Sequence, residues 1–337
     1  MNKFYNNLNK NYFKKGRTFV IAEIGTNHNQ RLSQAKKLIK IAKLAGADAV
    51  KFQLLNFEEQ FDKNSYSSNF KKNFKKIEFN NNWLSELIEF CKKKEIIFFA
   101  SPTYYKAADI LIKKTQLIKI ASPQTATDEF LTKKILLSNK TCILSNGLLN
   151  MNQSIKKIKN YYKINKNIIL LYCISRYPTK LSDLNLNCIK ILKKKLKCVI
   201  GFSDHTLSID VPSFAVSLGA KVIEKHLTLN RNMEGPDHKF ALEPKEFKDM
   251  ILKIRNLELS LGKITKVLNK SDLKIIKDYK PKLFSKVDIT KNNYLSDDLI
   301  YTKRTPKGIE YKKNISLFRL KNSIKANQLI LKKYLKK

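Results

Sequence analysis

The 337-residue sequence predicts a (β/α)₈ barrel, the TIM-barrel class of α/β fold, followed by a small β-rich C-terminal domain. Three observations predict it. Eight short apolar runs alternate with eight amphipathic stretches between residues 18 and 262, the order of a parallel sheet whose strands return through helices. The runs are apolar almost throughout, as strands buried on both faces are. No Gly-x-Gly-x-x-Gly turn appears, which a doubly wound, dinucleotide-binding open sheet would usually carry.

The apolar runs place strands at 19–25, 49–54, 96–101, 117–121, 142–145, 168–174, 199–203 and 222–226. Helices are expected over 33–45, 82–94, 105–114, 128–137, 151–161, 183–196, 208–218 and 244–260. The first of them carries Leu38, Ile41, Ala42 and Ala45 at helical spacing. Ser33, Asp128 and Asp183 suit caps or first turns, and Pro244 suits a first helical position. Residues 1–17 read as a polar, Asn/Lys-rich N-terminal tail with no apolar run of signal-peptide type. Residues 18–262 form the barrel, and 263–280 read as a linker with charged helical character. Residues 281–337 form the small domain, with strand-like pieces at 283–287 and 315–320 and turns around Asn292–Asn293 and 306–308. A domain of about 55 residues has little core of its own, so it is expected to dock on the barrel or on a partner subunit.

No apolar run reaches the roughly 20 residues that span a bilayer, so a cytoplasmic protein without a membrane partner is expected. The five cysteines, Cys91, Cys142, Cys173, Cys188 and Cys198, are odd in number and form no CxxC pair; they read as reduced, buried thiols. The net charge of +39 raises a nucleic-acid hypothesis. The excess is scattered Lys, however, and Arg occupies only seven positions, whereas base and phosphate recognition favours the planar Arg fork. A nucleic-acid partner is therefore not expected, although a basic binding protein on a degenerate barrel remains the reading from another class. A positive surface would also attract anionic substrates.

Reacting groups of such a barrel lie at the C-terminal strand ends. All four histidines, His28, His205, His226 and His238, fall at or just beyond these ends. One alone reads most simply as structural. His205 and His226 on neighbouring strands, with carboxylate and water, suit a borderline divalent ion such as Mn²⁺, with Mg²⁺ and Co²⁺ as alternatives. Lys51 and Lys119 stand inside apolar strands, which is costly unless they meet an anion. With Ser101, Ser122, Ser145 and Ser203 as hydroxyl donors they describe a cradle for a phosphate or carboxylate. A Schiff-base aldolase using one lysine is the rival chemistry.

The segments Ile21-Ala-Glu-Ile-Gly-Thr-Asn-His28, Gly46-Ala-Asp-Ala-Val-Lys-Phe-Gln53, Lys119-Ile-Ala-Ser122, Tyr177-Pro-Thr179, Gly201-Phe-Ser-Asp-His-Thr206, Gly219-Ala-Lys-Val-Ile-Glu-Lys-His226 and Gly235-Pro-Asp237 strongly resemble the N-acetylneuraminate (sialic acid) synthase family, which includes legionaminic and pseudaminic acid synthases. The match covers the whole barrel in order and spacing. The tail, with Lys303-Arg304 and Gly308-Ile309, resembles that family's antifreeze-like (SAF) domain more weakly. The resemblance implies a transferase that condenses phosphoenolpyruvate with an amino-sugar aldehyde. It implies metal ligation by His205 and His226. It also implies phosphoenolpyruvate contacts from Lys51, Ser101, Lys119, Ser122, Ser145, Ser175 and Ser203, sugar contacts from Gln53, Tyr177 and Asp237, and a catalytic Glu23. Arg304 matches an arginine that closes the partner subunit's site, which implies a domain-swapped homodimer. The chain departs from the common pattern at Pro123-Gln124 and Asn146, and the loop over 56–80 does not align. Another phosphoenolpyruvate-using aldol-type synthase is the nearer alternative.

Overall fold

The computed structural model describes residues 1–262 and 264–337, so Lys263, where the expected linker begins, lies outside the described residues. The chain divides into two compact units, Met1–Gly262 and Lys263–Lys337.

The first unit is a closed barrel of eight parallel strands in sequence order. They are β1 Phe19–Gly25, β2 Ala49–Leu54, β3 Ile97–Pro102, β4 Leu117–Ile120, β5 Thr141–Ser145, β6 Ile168–Cys173, β7 Val199–Asp204 and β8 Val222–His226. β8 pairs with β1 to close the sheet, and the register sets Glu23 beside His226 on one neighbour and Lys51 on the other.

Alternation along each strand decides what enters the barrel. Ile21, Ala49, Phe99, Leu117, Ile143, Leu171 and Val222 form a lower apolar layer. Two positions on along the same strands stand Glu23, Lys51, Ser101, Lys119, Ser145, Cys173 and Glu224, so the inward face turns from apolar to polar toward the C-terminal mouth. Gly201 occupies the lower layer in β7, where a Cβ would fall 2.5 Å from Leu171 Cδ2 and from Val222 O. The outward positions, among them Val20, Ala22, Val50, Phe52, Ile118 and Ile223, pack with the surrounding helices into the larger core.

Residues 1–17 are not a free tail. Helix Lys3–Leu8, capped by the Asn2 side chain, runs into a π-helical turn, Asn9–Phe13. Tyr5, Leu8 and Phe13 bury against the lower apolar layer and close that end of the barrel. Three large apolar side chains suffice for this, while the Asn and Lys residues between them give the segment its polar composition.

Other boundaries shift for local reasons. The helix expected over 183–196 begins only at Cys188, because Asn185 takes a left-handed φ of 45°; Asp183 instead accepts the Arg176 guanidinium at 2.6 Å. The first barrel helix starts at Leu32, and neither Ser33 nor its actual N-cap residue, Arg31, supplies a side-chain cap. Asp128 does cap its helix, accepting Leu131 N at 2.9 Å, and Pro244 opens helix Pro244–Leu261. The segment after β2 contains two short helices that no periodicity marked, Phe57–Gln60 and Ser68–Lys75.

The second unit holds helix Lys270–Tyr279, inside the expected linker. β9 Pro281–Ser285 pairs antiparallel with β10 Ile300–Arg304, and β11 Arg319–Leu320 with β12 Leu335–Lys336. The first part of the strand-like piece expected over 315–320 is a 3₁₀ turn, Ile315–Leu317. The unit has its own core, which includes Leu283, Ile289, Leu295, Ile300, Leu320 and Ile330. No helix among the described residues is long and apolar enough to cross a membrane.

Candidate active site

The polar mouth of the barrel encloses a cavity of about 420 Å³. Glu23, Lys51, Gln53, Ser101, Lys119, Ser122, Ser145, Tyr177, Ser203, His205 and His226 all line it. Ser175 lies just beside it, against Gly147 together with Ser122 and Cys173. Asp237 accepts Thr26 N at 3.0 Å and Thr26 Oγ1 at 2.9 Å. Its Oδ2 also lies 2.5 Å from where a Cβ on Gly25 would stand. Arg304 belongs to the second unit, where its exposed guanidinium stacks over the Tyr279 ring at 4.4 Å.

The charged centre is a buried network. Lys119 Nζ lies 2.9 and 3.0 Å from the two Glu224 oxygens, and Lys51 Nζ lies 3.0 Å from Glu224 Oε1. Lys51 also reaches Glu23 Oε1 at 3.4 Å, an oxygen that accepts Gln53 Nε2 at 2.7 Å. Burial opposes the charge of Glu224, but the Lys119 and Lys51 ammoniums outweigh it and hold this carboxyl well below the usual range. Glu23 is pushed up to about 7 by burial, which Lys51 only partly offsets and the charge of Glu224 reinforces. Burial also lowers Lys119, with Lys51 adding repulsion against the pull of Glu224. Burial works the same way on Lys51, but its two carboxylate neighbours raise it. The network therefore gathers two lysine side chains around one firmly ionised carboxylate, Glu224, and one carboxyl pushed up to about 7, Glu23. Lysine donors grouped in this way suit an anionic ligand.

Several buried polar atoms have no protein partner among the described residues: Ser101 Oγ, Ser145 Oγ, Ser175 Oγ, Glu23 Oε2 and His226 Nδ1. Buried polar groups are rarely left unpaired in a folded protein unless a ligand or water meets them.

His205 and His226 stand with ring centroids 5.7 Å apart. His205 Nδ1 is 2.8 Å from Ile174 O, and a carbonyl oxygen can only accept, so Nδ1 carries the proton and Nε2 keeps its lone pair. Burial, first of several causes, lowers both imidazoles to about 3. Two neutral imidazoles, one with an unpaired buried nitrogen, fit a divalent ion. No group of three or more His, Cys, Asp or Glu suited to a metal occurs among the described residues, so further ligands would be substrate oxygen or water. Tyr177 sits over His205, centroids 4.2 Å apart, at the solvent edge of the cavity.

Residues 38–266 match the NeuB family. The chain belongs to the NeuB family. It is 38% identical over 314 residues to N,N'-diacetyllegionaminic acid synthase of Campylobacter jejuni, covering 87% of this chain and 92% of that one. To pseudaminic acid synthase of the same species it is 33% identical over 324 residues, covering 90% and 91%. A crystal structure of N-acetylneuraminic acid (sialic acid) synthetase from Leptospira borgpetersenii matches with a TM-score of 0.71 at 34% identity, covering 77% of this chain and 90% of that one. The NeuB-family chain is thus an enzyme.

Sequence reasoning missed three members of this NeuB-family cavity that matter. Glu224 was readable: a carboxylate inside an apolar strand, two positions before His226 and therefore on its face. Gln60 and Phe61 also line the cavity. They lie in the irregular segment after β2, where no periodicity points to them.

Proposed function

We propose that this NeuB-family enzyme, working in the cytoplasm, condenses phosphoenolpyruvate with N-acetylmannosamine or a related 2-acetamido or 2,4-diacetamido sugar aldehyde. The products are a sialic-acid-type nonulosonic acid and phosphate. The observation that carries this reading is the set of unpaired buried hydroxyls around the Lys51–Lys119 pair.

Lys51 and Lys119, with Ser101, Ser122, Ser145, Ser175 and Ser203, bind the phosphate and carboxylate of phosphoenolpyruvate by charge-assisted hydrogen bonds. Gln53, Tyr177 and Asp237 position the sugar so that its aldehyde carbon faces C3 of the enol. C3 then forms the new C–C bond, and water adds at C2. One water proton passes through Glu23 to the former aldehyde oxygen, a transfer suited to a carboxyl near 7. The bridging C2–O bond breaks, the other water proton leaves with phosphate, and C2 becomes the ketone. A divalent ion held by His205 and His226, Mn²⁺ or alternatively Mg²⁺ or Co²⁺, would supply Lewis-acid polarisation of a carbonyl oxygen.

We take the second unit as the SAF domain of this family. With it goes a domain-swapped homodimer in which Arg304 of the partner subunit completes the site; the rarity of Arg and the exposure of this one support that reading. The deciding assay for the reaction is phosphate release from phosphoenolpyruvate across a panel of 2-acetamido and 2,4-diacetamido sugars, with each metal added in turn. Release that requires one of these sugars supports the proposal; none with any sugar and any metal rejects it.

A further inference from the structure

We infer that Asn146 is a positioning residue that fixes Ser145 and Ser175 in the anion cradle, an inference that rests on the phosphoenolpyruvate reading above and deepens it. Ser145 Oγ and Ser175 Oγ are buried and meet no protein partner among the described residues. No contact of its own holds either hydroxyl, so the backbone that carries it sets its place. The paired register of β5 and β6 ends at Ser145 and Leu171, and the Asn146 side chain takes over beyond it. Asn146 Oδ1 accepts Cys173 N at 3.1 Å, and Nδ2 donates to Ser154 Oγ at 3.0 Å. A backbone N–H can only donate, so the amide oxygen must face Cys173, and this settles the orientation of the amide. Asn146 and Ser154 are both buried.

One amide thus joins three elements: the end of β5, the end of β6 and helix Met151–Ile164, which carries Ser154. Ser145 directly precedes Asn146, and Ser175 lies two residues beyond Cys173. The chain leading into Ser175 is then held from two sides, by Asn146 at Cys173 N and by His205 Nδ1 at Ile174 O, 2.8 Å away. Gly147 follows Asn146. Its N–H donates to Ser122 Oγ at 3.0 Å, and a Cβ there would stand 2.3 Å from Ser175 Oγ. At that closeness the end of β5 cannot shift without displacing a cradle hydroxyl. Asn146 is also a position at which the sequence departs from the common family pattern, so this amide is a feature of the chain itself.

Calorimetry measures phosphoenolpyruvate binding to wild type, Asn146→Ala, Ser175→Ala and the double variant. Asn146→Ala should bind about tenfold more weakly, with a smaller change in KM for N-acetylmannosamine. Because Asn146 acts through Ser175, Ser175→Ala should weaken binding less in the Asn146→Ala background than in wild type, a coupling that general loosening would not produce. Fully additive losses, or equal losses for phosphoenolpyruvate and the sugar, overturn the assignment. Ser154→Ala removes only the arm to the helix. It should show the same coupling with a smaller loss, and it takes the place of Asn146→Ala if that variant does not fold. Wild-type enzyme that binds phosphoenolpyruvate but turns over no sugar defeats the reaction proposed above, and the coupling alone then decides the role of Asn146. If wild type does not bind phosphoenolpyruvate, the same four proteins are titrated with inorganic phosphate. Coupled losses there support the assignment, and additive losses or no binding of either anion overturn it.

Discussion

Lys225 and Asp204 form an ion pair of 2.6 Å with both side chains fully buried, outside the cavity they help to shape. Lys225 lies between the inward-facing Glu224 and His226 and so points to the other side of β8. There its ammonium also meets Thr206 O and Ser208 O, while Asp204 accepts Thr206 N at 2.9 Å. The pair ties β8, which carries His226, to the chain on either side of His205. Lys225→Met would leave a buried carboxylate uncompensated, at a cost of about 3–5 kcal/mol. Thermal melts of the variant should show that loss, and calorimetric Mn²⁺ titration should show weaker uptake. A Lys225→Met protein that melts and binds metal like wild type would remove the pair's positioning role.

Lys51 and Lys119 share Glu224, so either can be removed without leaving that carboxylate alone. Lys51→Ala or Lys119→Ala should therefore fold, and should weaken phosphoenolpyruvate binding by about 1.5–3 kcal/mol per lost charge-assisted contact. Sugar affinity should change less. Borohydride trapping of a lysine–substrate imine would instead favour the Schiff-base chemistry.

A carboxyl raised from 4.5 to about 7 holds its proton more tightly folded than unfolded. The contribution of Glu23 to stability is thus fully present below its unfolded value and is lost as pH rises through 7, on the order of 3 kcal/mol in all. Glu23→Gln, which cannot ionise, should melt close to wild type at pH 4 and above it at pH 8. A gap between the two melting temperatures that stays constant across this range contradicts the raised carboxyl.

Phe13 joins the lower core from the N-terminal segment. Phe13→Ala should cost about 3–5 kcal/mol if the plug packs like ordinary core, a change that chemical denaturation would detect. An unchanged midpoint would return residues 1–17 to the status of a tail.

Neither Arg304→Ala nor Glu23→Gln alone should support full turnover. Mixed dimers of the two variants should regain activity if Arg304 acts across subunits, because one of the two sites then has both native residues. No recovery after confirmed subunit exchange, with both variants folded, counts against a swapped arrangement.

The eight strands, their order and the polar residues at their ends were determined by the sequence itself. Strand burial is written as local apolar runs, and a period of two puts Lys51 and Gln53, or Glu224 and His226, on one face without reference to any other segment. Tertiary structure alone decided what those side chains meet. The sharing of Glu224 by two lysines depends on closure that brings β2, β4 and β8 around one axis, and no local pattern encodes a contact across a barrel. The same holds for the N-terminal plug, whose three apolar anchors lie scattered among Asn and Lys. Periodicity reports burial within one element; hydrogen-bond direction and charge balance belong to groups far apart in the chain, and only folding brings those together.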